Sequence, residues 1–390
     1  MSGLTAYIGA EIFDGARRLG ETAVLVKDGF VQALAAPGTL PEGAARVDLG
    51  GGLLAPGFID LQVNGGGGTL LNDDPSIEGV RAICAAHARF GTTALLPTLI
   101  TDRPAVTEAA IAAVHGAIGL GVPGCLGLHL EGPHLALARK GAHDPSLIRP
   151  MEEEDVERLT TSGIRHLLTT LAAETVPPAQ IARLAAAGVH VALGHSDAPY
   201  ALARAAFAAG ARFATHLFNA MSPLGHREPG LVGAVLDSPD VWCGLIADGF
   251  HVHPGAIAAA LRAKAGPARL YLVTDAMSTV GSDLASITLN GRTIRRAGGK
   301  LTLDDGTLAG SDLDMIAAVR FMIDNVGIPR DEALAMASLY PAMALGIDRS
   351  HGRIAPGARA DFVHLSPALA IRGVYIGGIR QNLPQGGEAP

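Results

Sequence analysis

Cysteine is scarce in this chain, and its few cysteines lie far apart. Cys84, Cys125 and Cys243 form no Cys-x-x-Cys pair within the 390 residues. This spacing argues against a disulfide framework and against a zinc site built from thiolates, because both normally use closely spaced cysteines. A reducing compartment suits such a chain, so we expect a cytoplasmic protein.

Long apolar runs and basic clusters are also missing. No run approaches the roughly 20 apolar residues that a membrane-spanning helix needs, and residues 1–15 lack the basic and apolar blocks of a secretory signal. Lys and Arg total 30 against 37 Asp and Glu, which gives a formal net charge of −7. We therefore expect neither nucleic acid nor membrane as a partner, since both attract basic surfaces. An anionic substrate would have to be held by a few local groups.

The middle of the chain alternates apolar, strand-like runs with alanine-rich amphipathic segments. The runs predict eight strands, at Gly57–Val63, Thr92–Thr98, Gly124–Glu131, Arg165–Ala172, Val189–His195, Ala211–Phe218, Val241–Ala247 and Arg269–Thr274. The segments between them predict helices, such as Ile77–Phe90, Thr107–Ile118, Pro178–Ala187, Ala201–Ala209 and Pro254–Lys264. Strands that alternate with helices form a parallel sheet, and eight of them close a (β/α)8 barrel.

The two ends of the chain share a different pattern of short strands broken by Gly and Pro. Strands are predicted at Ala23–Val26, Phe30–Leu34 and Arg46–Leu49, and similar sequence returns at 352–378. The sequence therefore predicts an α/β protein of two domains. We expect residues 56–350 to form a TIM-like barrel that carries the active site, and residues 1–55 and 351–390 together to form a small β-sandwich domain.

Polar residues collect where the predicted barrel strands end. In a (β/α)8 barrel the active site lies at the carboxyl ends of the strands, so residues distant in sequence should meet there. The residues in these positions are Gln62, Asn64, Glu131, His195, His216, Asp248, His251 and Asp275.

Glu131, His195 and His216 combine one carboxylate with two imidazoles. Zinc and similar divalent metals use this ligand set at catalytic sites, where one coordination position stays open for water. Small neighbours such as Gly127 and Ala214 share the faces of these residues and leave room inside the barrel. The sequence therefore predicts one divalent metal ion, zinc in the first place, with iron(II), cobalt or manganese as alternatives.

Asp275 follows the last predicted strand and is not needed as a ligand. A carboxylate beside a divalent metal can take a proton from the attacking water and later pass it to a leaving group. This arrangement predicts metal-assisted hydrolysis of an amide or an ester. The alternative is that Asp275 caps a helix beginning at Ala276.

Two motifs are distinctive enough to indicate a family. They are His129-Leu130-Glu131-Gly132-Pro133 and Thr215-His216-Leu217-Phe218-Asn219-Ala220-Met221. Together with the segments Pro56–Gly68, Lys140–Pro145, Gly194–Asp197, Arg227–Gly233, Ala247–His251 and Val273–Met277, they resemble the N-acetylglucosamine-6-phosphate deacetylases of the amidohydrolase superfamily. The resemblance covers nearly the whole chain.

The resemblance implies hydrolysis of N-acetylglucosamine 6-phosphate to glucosamine 6-phosphate and acetate. It assigns the metal to Glu131, His195 and His216, and the roles of general base and then acid to Asp275. It also implies that His143 contacts the sugar and polarises the acetamide carbonyl. The sugar and its phosphate would be held by His251, Asn219, Ala220 and Arg227, with the Asn219 and Ala220 contacts made by backbone. Arg227 would reach across a homodimer interface into the neighbouring site.

Several of these residues have a simpler alternative. Arg227 next to Glu228 could be an exposed ion pair, which contributes about 0–1 kcal/mol. His143 could be a solvated loop residue, and His251 with His253 could be paired surface histidines. Residues 65–68, a run of four glycines, could hold a phosphate through backbone amides but more often indicate a mobile loop.

The sequence departs from the wider superfamily at the first strand. Many amidohydrolases carry His-x-His there and bind two ions, whereas this chain has Gln62-Val63-Asn64. Amide side chains are weak ligands for such metals, so we expect one ion and assign Gln62 and Asn64 to second-site or water contacts. His134 and Asp144 also differ from the usual residues and could adjust the rim of the site.

Two alternatives to this function stay open at the level of sequence. The same fold could act on a different substrate, for example N-acetylgalactosamine 6-phosphate or a cyclic amide. The chain could also be a scaffold without catalysis, since some relatives have lost their metal. The presence of all three ligands and of Asp275 argues against the scaffold.

Overall fold

The computed structural model describes residues 3–382, and its largest element is an eight-stranded parallel sheet. Neighbouring strands pair in chain order, as a barrel requires. Barrel strands 1 to 8 are Phe58–Val63, Thr92–Ile100, Leu128–Glu131, Leu167–Leu171, His190–Leu193, Phe213–Ala214, Trp242–Leu245 and Leu270–Leu272. The segment after strand 8 returns to strand 1, where Asp275 N donates to Gln62 O at 2.9 Å. The predicted parallel barrel is therefore confirmed, and its two edges nearly close.

Several barrel strands are shorter than predicted. Strand 3 begins at Leu128 rather than Gly124, and strand 6 spans only Phe213–Ala214 rather than Ala211–Phe218. In strand 6 the cause is conformational, because φ is +30° at His216 and +77° at Phe218. Residues in the left-handed region cannot continue a strand. The hydrophobic pattern continues beyond the point where the backbone leaves the sheet.

The five helices named above are confirmed within three residues at each end. The α-helices of the described chain are Ile77–Ala88, Pro104–Gly119, Glu153–Thr160, Pro178–Ala186, Tyr200–Ala208, Gly230–Asp237, Pro254–Ala263, Met315–Phe321, Arg330–Ala337 and Leu339–Ala344. A π-helical turn at Met322–Val326 directly continues the helix Met315–Phe321. Short 3-10 turns lie at Pro37–Thr39 and Leu137–Arg139. The first two α-helices begin by ordinary capping rules. The Ser76 hydroxyl accepts from Gly79 N at the start of Ile77–Ala88, and Pro104 is the first residue of Pro104–Gly119. Within residues 3–382, none of the helices has both the length and the apolar character needed to cross a bilayer.

The ends of the chain form two further sheets. One has four strands, Phe30–Ala35, Ala23–Lys27, Thr5–Ile8 and Ala45–Asp48. The other has six, Ile379–Arg380, Ile371–Ile376, Phe362–Leu365, Leu53–Pro56, Glu11–Phe13 and Arg18–Glu21, and so joins both ends of the chain. The two sheets contribute to one buried cluster, whose members include Tyr7, Val24, Leu54, Phe362 and Tyr375. The division into domains at residues 55 and 350 stays a prediction, and residues 383–390 of its last part lie outside the described residues.

A three-stranded antiparallel sheet, absent from the sequence prediction, interrupts the predicted barrel region. Its strands are Ser286–Leu289, Arg292–Ala297 and Lys300–Thr302. Asn290 and Gly291 form the first turn with φ of +50° and +71°. An Asn-Gly pair with both residues at positive φ is the preferred turn of a two-residue hairpin, so this signal was present in the sequence.

This inserted sheet packs onto the carboxyl end of the barrel. Ile287, Leu289, Ile294 and Leu301 form a buried cluster with residues of the barrel mouth that include Ile100 and Met277. The Arg292 guanidinium also donates to the backbone oxygen of Ala142. The insert therefore forms one wall of the region where the polar strand-end residues meet.

Asp60 is a buried carboxylate inside the barrel, on strand 1. It accepts hydrogen bonds from Gln62 N at 3.2 Å, Thr274 N at 3.2 Å and the Thr274 hydroxyl at 2.6 Å. Burial nevertheless dominates and raises the pKa of Asp60 to about 7 from its ordinary value of 3.8. The folded chain therefore holds a proton on Asp60 at pH values where the unfolded chain has lost it.

We predict that Asp60→Asn removes part of the pH dependence of stability. Between pH 3.8 and about 7 only the folded state is protonated at Asp60, so wild-type stability falls as pH rises through this window. The asparagine cannot titrate, and its oxygen can still accept from both backbone amides. Urea unfolding of both proteins should show wild type losing stability relative to the variant across the window. If the difference in free energy of unfolding between the two proteins stayed constant from pH 4 to 8, the raised pKa of Asp60 would be contradicted.

Candidate active site

Glu131, His195 and His216 meet at the carboxyl end of the barrel, as predicted. His195 Nε2 lies 3.1 Å from Glu131 Oε1 and 3.1 Å from His216 Nε2. His216 Nε2 lies 3.0 Å from the same Glu131 oxygen. All three side chains are buried, with Glu131 only 2% exposed. Metal–ligand bonds of about 2.0–2.2 Å place neighbouring ligand atoms roughly 3–3.5 Å apart, so this triangle has the size of a coordination shell.

The hydrogen bonding of His195 explains why this triangle fits a cation. Its Nδ1 lies 2.8 Å from the carbonyl oxygen of Arg139, so Nδ1 carries the hydrogen and donates it. In the neutral ring that a metal ligand needs, Nε2 presents a lone pair to Glu131 Oε1, which is itself an acceptor, whereas without a cation a protonated Nε2 donates to that oxygen. One cation between the three atoms would satisfy all of them at once. The outer hydrogen bond to Arg139 is the kind that orients metal-ligating histidines.

The backbone turns sharply at the functional residues. His195, His216 and Asp275 have φ values of +47°, +30° and +54°. Such values are uncommon outside glycine and cost of order 1–3 kcal/mol each. For Asp275 the surrounding backbone fixes the geometry, because its N–H donates to Gln62 O and its carbonyl accepts from Ser311 N, both at 2.9 Å. The residues that directly follow Asp275 do not form a helix, so Asp275 is not the helix cap considered above.

Asp275 stands beside the triangle, held by two amide side chains. Asn64 Nδ2 donates to Asp275 Oδ1 at 2.7 Å, and Gln62 Nε2 donates to the same oxygen at 3.2 Å. Gln62 Nε2 also lies 3.2 Å from Glu131 Oε1. Gln62 therefore joins the two carboxylates through hydrogen bonds, whereas the Asn64 amide donates only to Asp275 among the described residues.

The two carboxylates differ in their affinity for protons. Burial would raise the pKa of Glu131, but hydrogen bonds from His195 and His216 outweigh it and hold that pKa well below its usual range. For Asp275, burial and then repulsion by Glu131 raise the pKa to about 6. One carboxylate thus stays anionic, as a metal ligand must, while the other has the character of a group that gains and loses protons.

His143 is buried, so it is not the solvated loop residue considered above. Its Nδ1 lies 2.7 Å from the Thr101 hydroxyl, and its ring centroid lies 4.4 Å from that of His195. Burial, followed by repulsion from His195, lowers the pKa of His143 to about 3. The ring is therefore neutral and has one nitrogen left for a substrate. Thr101, which follows barrel strand 2 directly, was not predicted as a site residue.

A cavity of about 250 Å³ opens next to these groups. Asn64, His143, Asn219, Ala220, His251 and Asp275 line it together with the three triangle residues. His251 is fixed by Asp248, whose Oδ2 lies 2.6 Å from His251 Nδ1, so it is not one of a surface pair. The Asn219 amide donates to the carbonyls of His216 and Leu217 in its own loop. The backbone N–H of Asn219 also donates to His216 O at 3.0 Å, and Ala220 O accepts from Ser196 N at 3.1 Å, so backbone contacts from these two residues to a sugar stay a prediction.

The inserted sheet completes the cavity. Leu289 from its first strand and Thr307, Leu308, Ala309 and Gly310 from the segment after its last strand line the wall. None of these residues was predicted, because an apolar or small residue in a loop carries no signal of its own. The hairpin that positions Leu289 was detectable through Asn290 and Gly291.

Other sequence candidates lie elsewhere. Arg227 is exposed and does not line the cavity, and no ion pair joins it to Glu228 within residues 3–382. His134 is buried, with Nδ1 3.2 Å from Arg149 O, and Asp144 is partly exposed and accepts from Ser146; neither lines the cavity.

The glycine run is part of an ordered turn. Gly65–Gly66 pair with Thr69–Leu70 as a short two-stranded sheet, and both glycines are buried. Gly66 packs against His87, whose Nε2 lies 2.9 Å from Gly65 O. A side chain at Gly66 would collide with that ring, which explains the glycine by close packing. Residues 65 and 66 are thus strand rather than loop, while the mobility of 65–68 stays a prediction.

A parallel barrel with a carboxylate, two imidazoles and a second buried carboxylate at its strand ends is the arrangement of hydrolases that use a bound divalent ion. Residues 53–380 match the model of the amidohydrolase family. The chain therefore belongs to the amidohydrolase family.

Within this family, the chain is similar to deacetylases that are named for phosphorylated amino sugars. The chain is 42% identical to an N-acetylgalactosamine-6-phosphate deacetylase of Shewanella sp. strain ANA-3, over 95% of this chain and 94% of that protein. It is 36% identical to an N-acetylglucosamine-6-phosphate deacetylase of Haemophilus influenzae, over 96% and 98%. The crystal structure of N-acetylglucosamine-6-phosphate deacetylase from Pasteurella multocida matches with a TM-score of 0.93 and 36% identity, over 97% of this chain and 99% of that one.

Proposed function

We propose that this protein hydrolyses the acetamide of N-acetylglucosamine 6-phosphate to glucosamine 6-phosphate and acetate. The observation that carries the proposal is the Glu131–His195–His216 triangle with Asp275 beside it, facing one cavity. Relatives of 36% identity over almost the whole chain are named for this activity. They support the choice of an amide in a phosphorylated amino sugar as the substrate.

A divalent ion held by Glu131, His195 and His216 would supply Lewis-acid activation of water and of the acetamide carbonyl. Asp275 takes the proton of the attacking water and then delivers it to the leaving nitrogen, which cannot depart as an anion. His143 has one ring nitrogen on Thr101 and offers the other to the carbonyl oxygen. The buried setting of Asp275, 9% exposed, limits exchange of that proton with bulk water.

One ion per chain fits the geometry of the first strand. Gln62 and Asn64 stand where a second ion would need ligands, and their amide nitrogens are engaged by Glu131 and Asp275. An amide binds a metal only weakly, through its oxygen, so neither side chain replaces the imidazole ligands that a second ion would use. We infer a mononuclear site, with zinc as the first choice and iron(II), cobalt or manganese as alternatives, since the donor set suits each of them.

The substrate phosphate needs a cation that the cavity itself lacks. Among the described residues that line it there is no Lys or Arg. We infer a homodimer in which Arg227 reaches the cavity of the neighbouring subunit. Its exposed position supports this inference, because a guanidinium fork suits a phosphate and this one has no ion-pair partner within residues 3–382.

Arg227→Ala is predicted to raise KM for the phosphorylated sugar far more than for unphosphorylated N-acetylglucosamine. Only the phosphorylated substrate has the dianion that the guanidinium would bind. Steady-state kinetics with both sugars measures the difference, and Arg17→Ala, at another exposed arginine, is the control. Equal effects on the two sugars would mean that Arg227 does not bind phosphate.

The function is tested by acetate release from N-acetylglucosamine 6-phosphate with zinc, iron(II), manganese or cobalt supplied. N-acetylgalactosamine 6-phosphate belongs in the same assay, because the relative at 42% identity is named for that epimer. A higher kcat/KM on the galacto epimer would replace the gluco assignment. Absence of turnover on both, with thermal stability unchanged by zinc, would favour the non-catalytic scaffold.

A further inference from the structure

The two oxygens of the Asp275 carboxylate have different surroundings. Oδ1 accepts from Asn64 Nδ2 at 2.7 Å and from Gln62 Nε2 at 3.2 Å. Within residues 3–382, no hydrogen bond reaches Oδ2. Asp275 lines the cavity, so one of its oxygens is occupied by protein donors and the other is left for substrate and water.

The orientation of the Asn64 amide follows from its neighbours. Its nitrogen lies 2.7 Å from Asp275 Oδ1 and 3.3 Å from the Asp275 carbonyl oxygen, which are both acceptors. Only the NH₂ group can face them, so the amide cannot be reversed. The side chain is 3% exposed and its own oxygen has no partner. Asn64 thus keeps a buried acceptor unsatisfied in order to direct its donors at Asp275.

Gln62 connects Asp275 to the metal triangle. Its amide nitrogen lies 3.2 Å from Asp275 Oδ1 and 3.2 Å from Glu131 Oε1, and an NH₂ group has one hydrogen for each. The backbone of the same residue accepts from Asp275 N at 2.9 Å. Asp275 is therefore fixed to strand 1 through both its backbone and its side chain.

We propose that Gln62 and Asn64 are positioning residues that fix Asp275 Oδ1, so that Oδ2 alone carries the proton in catalysis. The inference rests on the proposed function. Neutral amides suit this task, because Oδ1 accepts their hydrogen bonds whether Oδ2 is ionised or protonated. The carboxylate can then gain a proton from water and lose it to nitrogen without turning.

Asn64→Leu tests the proposal, because leucine has a similar volume and no donor. We expect kcat to fall by about 10²-fold, the scale of a misplaced catalytic group, with little change in KM. In the Asp275→Asn background the same change should cost nothing further, since Asn64 acts through Asp275. A merely structural role would lower the rate in both backgrounds. Gln62→Met is the second variant, and Asn72→Leu, at an amide that bonds Asp102 instead, is the control.

A crystal structure of the Asn64→Leu variant separates this proposal from the proposed function. We expect the metal ligands to stay in place and the Asp275 carboxylate to rotate away from Gln62. If the wild-type protein released no acetate, the proposed function would fail, but the position of Asp275 would still decide the role of Asn64. An unmoved carboxylate, or equal loss of rate in both backgrounds, overturns the proposal.

Discussion

Asp275→Asn is expected to lower kcat for acetate release by about 10²–10⁴-fold, the usual contribution of a general acid–base group. The asparagine oxygen can accept the hydrogen bonds that Gln62 and Asn64 now give to Oδ1. The side chain should therefore keep its orientation and lose only its ability to carry a proton. The loss should appear in kcat rather than in KM, because binding of the sugar does not require that proton.

The measurement combines steady-state kinetics with metal analysis of the purified variant. Metal content should stay at the wild-type level, since Asp275 is not part of the triangle. Asp304→Asn, at an exposed aspartate paired with Arg295, is the control for the substitution itself. A kcat near that of wild type would remove Asp275 from the mechanism. Loss of metal together with rate would instead make Asp275 a ligand.

The strand-end residues could be predicted because they depend on periodicity alone. The parallel strands of a barrel all end at one face, so a polar residue that ends an apolar run must lie there. Glu131, His195 and His216 follow this rule. His195 lies 64 residues after Glu131 in the sequence, and His216 lies 85 residues after it. Their exact approach, a triangle of 3.0–3.1 Å, depends on left-handed turns that side-chain type does not reveal.

The walls of the cavity could not be predicted in the same way. Leu289, Thr307 and Leu308 line it only because the inserted sheet packs its own apolar cluster on the barrel mouth. Whether a hairpin lies over the mouth or extends into solvent depends on that tertiary packing, not on its local pattern. The bonds from Gln62 and Asn64 to Asp275 were missed for a related reason. Strand 1 and the segment after strand 8 become neighbours only when the barrel closes.

Glu131→Gln should abolish tight metal binding while leaving the barrel folded. Glu131 is the only anionic member of the triangle, and its low pKa keeps it ionised. The amide removes that charge and presents a weaker ligand. Loss of a supporting hydrogen bond around a metal typically costs 10–100-fold in affinity, so loss of the anionic ligand itself should cost more.

Thermal unfolding with and without zinc distinguishes this effect from damage to the fold. Zinc at 100 times its Kd would stabilise the wild-type protein by about 2.7 kcal/mol, because the ion binds only the folded chain. The metal-free variant should unfold near the temperature of the metal-free wild type and should not respond to zinc. Glu108→Gln, at an exposed glutamate, should keep the full response. If Glu131→Gln still gained stability from zinc, two histidines would suffice as ligands, and the central place of Glu131 in the site would be wrong.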